Sequence, residues 1–402
     1  MRRGALLRVF PPLALVGLVP LGALDAQSAG DFYQQGLQAM RAGAHETAIR
    51  SFRRAVELEP GLAKAHGALG TLHLQLGRWE EAEPPLKRAC ELDPGMVQAA
   101  VNLAQLYAKT DRTAEAISAY REIVRGHPGL GAAHLGLASA CQQARRFEEA
   151  VAAYRRGLEL EPRAVEALVN LGSCHEALKE EEQAIACYEA AIRLNPQLAM
   201  ARGNLGALHQ KRGDPDRAFP LLEEAVRLAP QNGAARYSLA LVLIERKAFD
   251  QAAKELEAVI AGEPDHVGGH YNLAQAYFRL GRQEEGKREM EVHRRCRQAR
   301  EEIELRERAA AAEPSNPRQK IELALAYERH QKTRLAIEAY REAIRLDPRS
   351  ASAHAGLALA CSHAGRHDEA HRAIEKAIEM DPQNPAFLAT RERIQAASGR
   401  RP

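Results

Sequence analysis

The chain carries 402 residues, with 56 Lys plus Arg against 53 Asp plus Glu and a formal charge of +3. That balance provides no long-range attraction for nucleic acid or for an anionic membrane surface, so neither class of partner is expected. Aromatic residues are only 5% of the chain, which suits thin helices in close contact rather than a thick sheet core.

The N-terminus reads differently from the rest. Arg2 and Arg3 follow Met1, an apolar stretch runs from Val9 to Leu24, and Ala26 places a small residue before a cut at Gln27. This is the layout of an export signal. The stretch is broken by Pro11, Pro12 and Pro20 and falls short of the roughly 20 residues of a membrane span. The expectation is a secreted or periplasmic protein with a cleaved signal peptide at 1–26, with a retained N-terminal membrane anchor as the alternative.

Beyond the leader the chain repeats. Pro60, Pro94, Pro128, Pro162, Pro196, Pro230 and Pro264 are each 34 residues apart, and the same step joins Pro314, Pro348 and Pro382. A small residue recurs in the first helix of each unit, as Gly36, Gly70, Ala104, Gly172, Gly206 and Ala324. A second recurs in the next helix, as Ala48, Ala82, Ala150, Ala184 and Ala336, with Gly286 the exception. Small side chains at both places let two antiparallel helices approach closely. Phe52, Tyr120, Tyr154, Tyr188 and Tyr340 share one place on the second helix and are expected to fill the space between hairpins. Proline then ends that helix, and a glycine or polar residue reverses the chain within each hairpin.

These units resemble tetratricopeptide repeats, whose 34-residue signature places large, Leu, small, Tyr, Ala, aromatic, Ala and Pro residues along a helix pair. The fifth unit carries Leu168, Leu171, Gly172, Ala184, Tyr188, Ala191 and Pro196 in those roles, with His175 where an aromatic is usual. The resemblance implies an all-α fold, a right-handed α-solenoid of about ten helix hairpins whose first helices line an inner face. Repeats 1–8 would span 29–298, repeats 9 and 10 would span 317–384, and a capping helix and tail would occupy 385–402.

One break interrupts the array. Pro264 to Pro314 is 50 residues, and 286–314 contains no internal glycine or proline, so the second helix of repeat 8 is expected to continue as an extended helical insertion. Val292, Cys296, Ala299, Ile303 and Ala310 give it a narrow apolar edge amid charges. Three readings stay open: the edge packs on its own solenoid, it forms a partner or homo-oligomer helix through Val292, Ala299 and Ile303, or it is a solvated spacer.

The resemblance also indicates where a ligand would lie, at the second, fifth, sixth, ninth, twelfth and thirteenth places of each unit. The sixth carries Asn102, Asn170, Asn204 and Asn272, and an amide can both donate to and accept from an extended peptide backbone. The row is similar to the asparagine ladder in the superhelical repeats of O-linked N-acetylglucosamine transferases, without their catalytic domain. It is incomplete, because Ala68, Gly136, Ser238, Glu322 and Gly356 hold the same place elsewhere. Asparagines serving local helix contacts are the alternative. Val101, Val169, Tyr237 and Tyr271 at the fifth place, with Gln105 beside them, complete the candidate peptide-binding groove. A terminal-carboxylate clamp of the kind found in some co-chaperone repeats would need Lys and Asn where Val101 and Gln105 stand.

Reactive constellations are not expected. The chain has no HExxH, GxSxG, phosphate-cradling glycine loop or dinucleotide fingerprint, so no catalytic residue, small-molecule substrate, cofactor or metal is assigned. His363, His367 and His371 are evenly spaced around Gly365, and the reversal there would keep the three from sharing a helix face. Arg294, Arg295, Arg297 and Arg300 are followed at once by Glu301, Glu302 and Glu304, which compensates the basic patch. Six cysteines are scattered without a CxxC pair; Cys174 and Cys187 could meet across a hairpin as a disulfide or remain buried thiols. The expected function is that of a non-enzymatic scaffold recruiting a protein or peptide in an exported or envelope-associated assembly. The alternative is a substrate-selecting or regulatory subunit of an enzyme supplied by another chain.

Overall fold

The computed structural model describes residues 27–397; the expected signal peptide and the last five residues lie outside that range. The described residues form 21 α-helices and no strand, a solenoid of helix hairpins that divides into two units, residues 1–196 and 197–402. In the first unit the helices are α1 Ala29–Arg41, α2 His45–Leu58, α3 Ala63–Gln75, α4 Trp79–Leu92, α5 Val97–Lys109, α6 Thr113–Gly126, α7 Gly131–Gln143, α8 Phe147–Leu160, α9 Val165–Ala177 and α10 Glu181–Leu194. The second unit holds α11 Ala199–Lys211, α12 Pro215–Leu228, α13 Gly233–Glu245, α14 Phe249–Gly262, α15 Val267–Arg279, α16 Gln283–Ala312, α17 Pro317–Arg329, α18 Thr333–Leu346, α19 Ala351–His363, α20 His367–Met380 and α21 Pro385–Ala397.

The turn inside each hairpin is set by one left-handed residue, 17 before the repeat's proline in every case except Gly281, which precedes the register break and stands 33 before Pro314. Gly43, Gly77, Gly213, Gly281 and Gly365 take φ near +70°. Asp111, Arg145, Lys179, Lys247 and Gln331 take the same conformation with a side chain present, at a cost of roughly 1–2 kcal/mol each. The other end of the repeat has its own device. Ring Nε2 atoms of His66, His134, His270 and His354 hydrogen-bond the carbonyls of Pro60, Pro128, Pro264 and Pro348 at 3.1, 3.0, 2.9 and 3.2 Å. Arg236 does the same for Pro230 through Nε at 2.7 Å. These contacts satisfy a carbonyl left free where the preceding helix stops.

The small positions explain the spacing within hairpins. A Cβ at Gly36, Gly70, Gly172 or Gly206 would fall 2.4 to 2.7 Å from Phe52, Leu86, Tyr188 or Leu222 of the second helix. The large residue therefore sits over its own hairpin's glycine in these repeats. Tyr120 and Tyr340 instead lie against Gly136 and Gly356 on the following helix. Tyr154, Tyr188 and Tyr340 are fully buried, and each hydroxyl donates to a partner twelve residues back, Gln142, Glu176 or Glu328, at 2.8, 2.6 and 2.7 Å. Gly286, the exception in the alanine column, is matched by Phe278, whose ring lies 2.4 Å from where a Cβ would stand.

All six cysteines are free thiols, so Cys174 and Cys187 are not joined. Cys174 lies in the apolar core of the first unit and Cys187 packs against it; burial pushes the Cys174 thiol up to about 11. His175, in place of the usual aromatic, is buried and its Nδ1 lies 2.6 Å from the Glu180 carboxylate. The C-terminal segment does form a helix, α21, which packs on α19 and α20 and buries Thr390 and Ile394.

Helix α16 continues through the register break for 30 residues, about 45 Å at 1.5 Å per residue. Its apolar edge packs on its own solenoid at the C-terminal end, where Ile303 and Ala310 join a core with Leu323, Ala324 and Tyr327 of α17. Ile303 is therefore buried and is not presented to a partner, which corrects the partner-helix reading at that residue. Val292 and Ala299 remain half-buried.

Candidate functional site

From α3 to α9 and from α11 to α15, and again from α17 to α21, each odd-numbered helix packs on the next odd-numbered helix, whereas even-numbered helices make no comparable contact with one another. The first helices are thus crowded together, and their shared face is the one on which a segment could touch several repeats at once. The step from α15 to α17 does not continue this contact.

The residues reaching that face are i, i+4, i+7 and i+11 on each odd helix, because this spacing follows one side of a 3.6-residue helix. On α5 they are Gln98, Asn102, Gln105 and Lys109; on α11 they are Met200, Asn204, Ala207 and Lys211. The fifth place points elsewhere. Val101 and Val169 are buried between helices at 7% and 1% exposure, so neither is available to a ligand. The alternation of a helix places the fifth residue about 100° from the sixth, toward the neighbouring repeat. Tyr237 is half-buried and Tyr271 is exposed, with the Tyr271 ring 5.4 Å from the His293 ring of α16.

Three of the four asparagines already have partners. Asn102 is buried; its amide donates to Thr71 Oγ1 at 2.7 Å and its oxygen accepts from Gln98 Nε2 at 3.0 Å. Thr71 in turn donates to the Gly67 carbonyl at 2.7 Å, so this part of the row is an inter-repeat chain of hydrogen bonds. Burial pushes the Tyr154 phenol up to about 12, against hydrogen bonds from Asn170 and Ser139. Asn272 donates to the Tyr237 hydroxyl at 2.9 Å, ties two repeats together, and partly offsets the upward push of burial on that phenol. Asn204 alone of the four has no hydrogen bond among the described residues, and one turn earlier Met200 is 56% exposed. Asn102 and Asn170 belong to the first unit, Asn204 and Asn272 to the second, and each pair is read within its own unit.

Met200 occupies the second place of its unit, one turn before Asn204 on the same helix face, and nothing in its residue type marks it as a contact in the sequence alone. Gln105 is exposed as expected. No group of three or more His, Cys, Asp or Glu side chains is placed to hold a metal among the described residues. His367 and His371 share α20, one turn apart, while His363 ends α19. No helix among the described residues is long and apolar enough to cross a membrane.

The chain matches models of a known repeat family. One tetratricopeptide repeat model matches residues 33–97, 87–131, 101–158, 135–199 and 321–385, and a second matches 209–266 and 243–304. No curated protein matches the chain. Among solved structures, the chain is similar to a tetratricopeptide repeat protein from Parabacteroides merdae at 16% identity, covering 62% of this chain and 99% of that one with a TM-score of 0.49. MamA 41-end from Desulfovibrio magneticus RS-1 is 17% identical, covering 42% and 96% with a TM-score of 0.40. YrrB, described as a TPR protein with an unusual peptide-binding site, is 21% identical, covering 44% and 91% with a TM-score of 0.39. With the first of the two models alone matching more than half of its residues, the chain belongs to the tetratricopeptide repeat family.

Proposed function

We propose that this protein is a non-enzymatic scaffold that binds a protein or extended peptide along the face of its odd-numbered helices. The observation that carries the reading is the Met200–Asn204 pair, an exposed apolar side chain beside an amide with no hydrogen bond among the described residues. An amide in that state can bond a peptide backbone without breaking an existing contact, and the neighbouring thioether adapts to varied apolar side chains. Asn102, Asn170 and Asn272 act in this reading as stiffeners that fix the spacing of repeats, with Gln105 and Tyr271 as further contacts.

The setting proposed is an exported or envelope-associated assembly, supported by the Arg2, Arg3 and Val9–Leu24 pattern. N-terminal sequencing of the mature chain from its native source checks this: a start at Gln27 supports export, and intact Met1 in a soluble cytosolic fraction defeats it. Binding is tested by photocrosslinkers placed at Met200, at Gln105 and at Glu189 on the even-numbered helix α10. Capture of a discrete partner at Met200 supports the reading for the second unit, and capture at Gln105 supports it separately for the first. Equal capture at Glu189 contradicts it.

A further inference from the structure

Helix α16 serves two repeats. Along its N-terminal half it pairs with α15, through Gly286 against Phe278, Glu289 against His270 at 2.6 Å, and His293 to the Val267 carbonyl at 3.0 Å. Along its C-terminal half it supports α17. There the Tyr327 hydroxyl donates to Glu307 at 2.7 Å, just as Tyr277 on α15 donates to Glu257 on α14 at 2.8 Å, with the same 20-residue separation. The second half of α16 therefore stands to α17 as α14 stands to α15, but no first helix of its own precedes it. Two 13-residue helices, α15 and α17, each about 20 Å long, lie end to end on one 45 Å support. They meet where Lys332 Nζ reaches Asp265 at 2.6 Å.

A cleft of about 740 Å³ opens at that meeting point. Its floor is the half-buried α16 stripe Val292, Cys296 and Ala299, and its walls are the α15 entry at Val267 and Gly268 and the α17 exit around Lys332. The volume lies within the range of roughly 300–1,000 Å³ usual for ligand sites.

We propose that this cleft binds a short segment of a protein partner in which an apolar side chain lies next to a carboxylate. The floor supplies a surface for the apolar group. The charges around it bear on the neighbour: Lys332 is held by Asp265, Arg300 by Glu304 at 2.9 Å and Arg329 by Glu302, Glu307 accepts from Tyr327, and Glu263, which also lines the cleft without an ion pair among the described residues, has its Oε1 beside Gly233 of α13. Arg295, which lines the same cleft and is exposed, takes part in no ion pair among the described residues. A carboxylate arriving there meets a cation without displacing an existing partner, and the forked guanidinium can hold both of its oxygens. This site is independent of the reading of the odd-numbered face.

Fluorescence polarisation of the full chain with end-blocked peptides carrying Leu, Phe or Met beside Asp, and with the same peptides carrying Lys in place of Asp, tests it. The expected result is saturable binding of at least one Asp peptide, with its Lys counterpart about tenfold weaker or worse. Arg295→Glu, at an exposed position, should reverse that preference, and Ala299→Phe should reduce binding about tenfold or more by filling the floor, with circular dichroism checking that both variants keep their helices. The proposal is overturned if no peptide binds up to about 1 mM, if Asp and Lys peptides bind equally, or if Arg295→Glu leaves the preference as it was.

Discussion

Helix α11 contains two glycines three residues apart whose surroundings predict opposite responses to the same substitution. A Cβ at Gly203 would meet the Ala235 and Ala225 methyls at 3.6 and 3.8 Å, which is ordinary contact. A Cβ at Gly206 would meet Leu222 Cγ at 2.7 Å, Cδ2 at 3.0 Å and the Ala218 carbonyl oxygen at 3.3 Å. Alanine in a helix interior is favoured over glycine by about 1 kcal/mol. Gly203→Ala should thus stabilise by about 0.5–1 kcal/mol. At Gly206 the clash involves a branch point near the α12 backbone, which cannot swing aside as a chain tip can, and overpacking of this kind costs about 1–3 kcal/mol. After the helix gain, Gly206→Ala should destabilise by about 1 kcal/mol, leaving the two variants roughly 2 kcal/mol apart. Urea titration followed by circular dichroism reads this as a shift of the α11–α12 transition in opposite directions; a solenoid need not unfold in one step, so midpoints are compared rather than one global free energy. If Gly206→Ala proves as stable as Gly203→Ala, helix approach in the hairpin is not what the small-residue column controls.

Phe278→Ala and Gly286→Ala should each destabilise, the first by about 3 kcal/mol through a cavity and the second by a clash, whereas the double variant should recover part of the loss; strictly additive effects in a double-mutant cycle would refute the proposed match between them. His134→Ala should cost about 0.5–1.5 kcal/mol by freeing the Pro128 carbonyl, and His134→Arg should restore most of it, as Arg236 does at the equivalent place; thermal melts at constant pH distinguish the two. Burial lowers the His73 pKa below its ordinary 6.5, so the unfolded chain binds that proton more readily, and stability from this site is lost as pH falls below 6.5 toward the folded value. His73→Tyr, copying Tyr107 one repeat later, should flatten the melting-temperature profile on the acid side of 6.5; an unchanged profile would count against the buried neutral ring. Burial also raises Cys174 and Cys361 to about 11, so both should resist alkylation near neutral pH until the chain unfolds, and rapid native labelling seen by mass spectrometry would contradict their burial.

Much of the fold was legible because the proline period and the two small-residue columns state hairpin lengths and helix approach directly. The phase of the turn was legible too, since glycine alternates with polar residues at one position. The inner face was less so. One-dimensional periodicity tells which side chains share a side of a helix, but not which other helix covers that side, and Val101 and Val169 are buried on such a covered side. Asn102 is taken up by Thr71, 31 residues earlier, a partner with no local signature. The long helix was visible as a register break, whereas its double service to α15 and α17 depends on Tyr327 finding Glu307, a correspondence recognisable only beside the Tyr277–Glu257 bond.

The most direct test of the binding account is hydrogen–deuterium exchange on the complex with whichever partner is captured through Met200. The account predicts slowed exchange on the odd-numbered helices of the second unit, led by the Met200–Asn204 turn of α11, with α12 and α14 unchanged. Protection confined to even-numbered helices, with α11 exchanging as in the free protein, would contradict it.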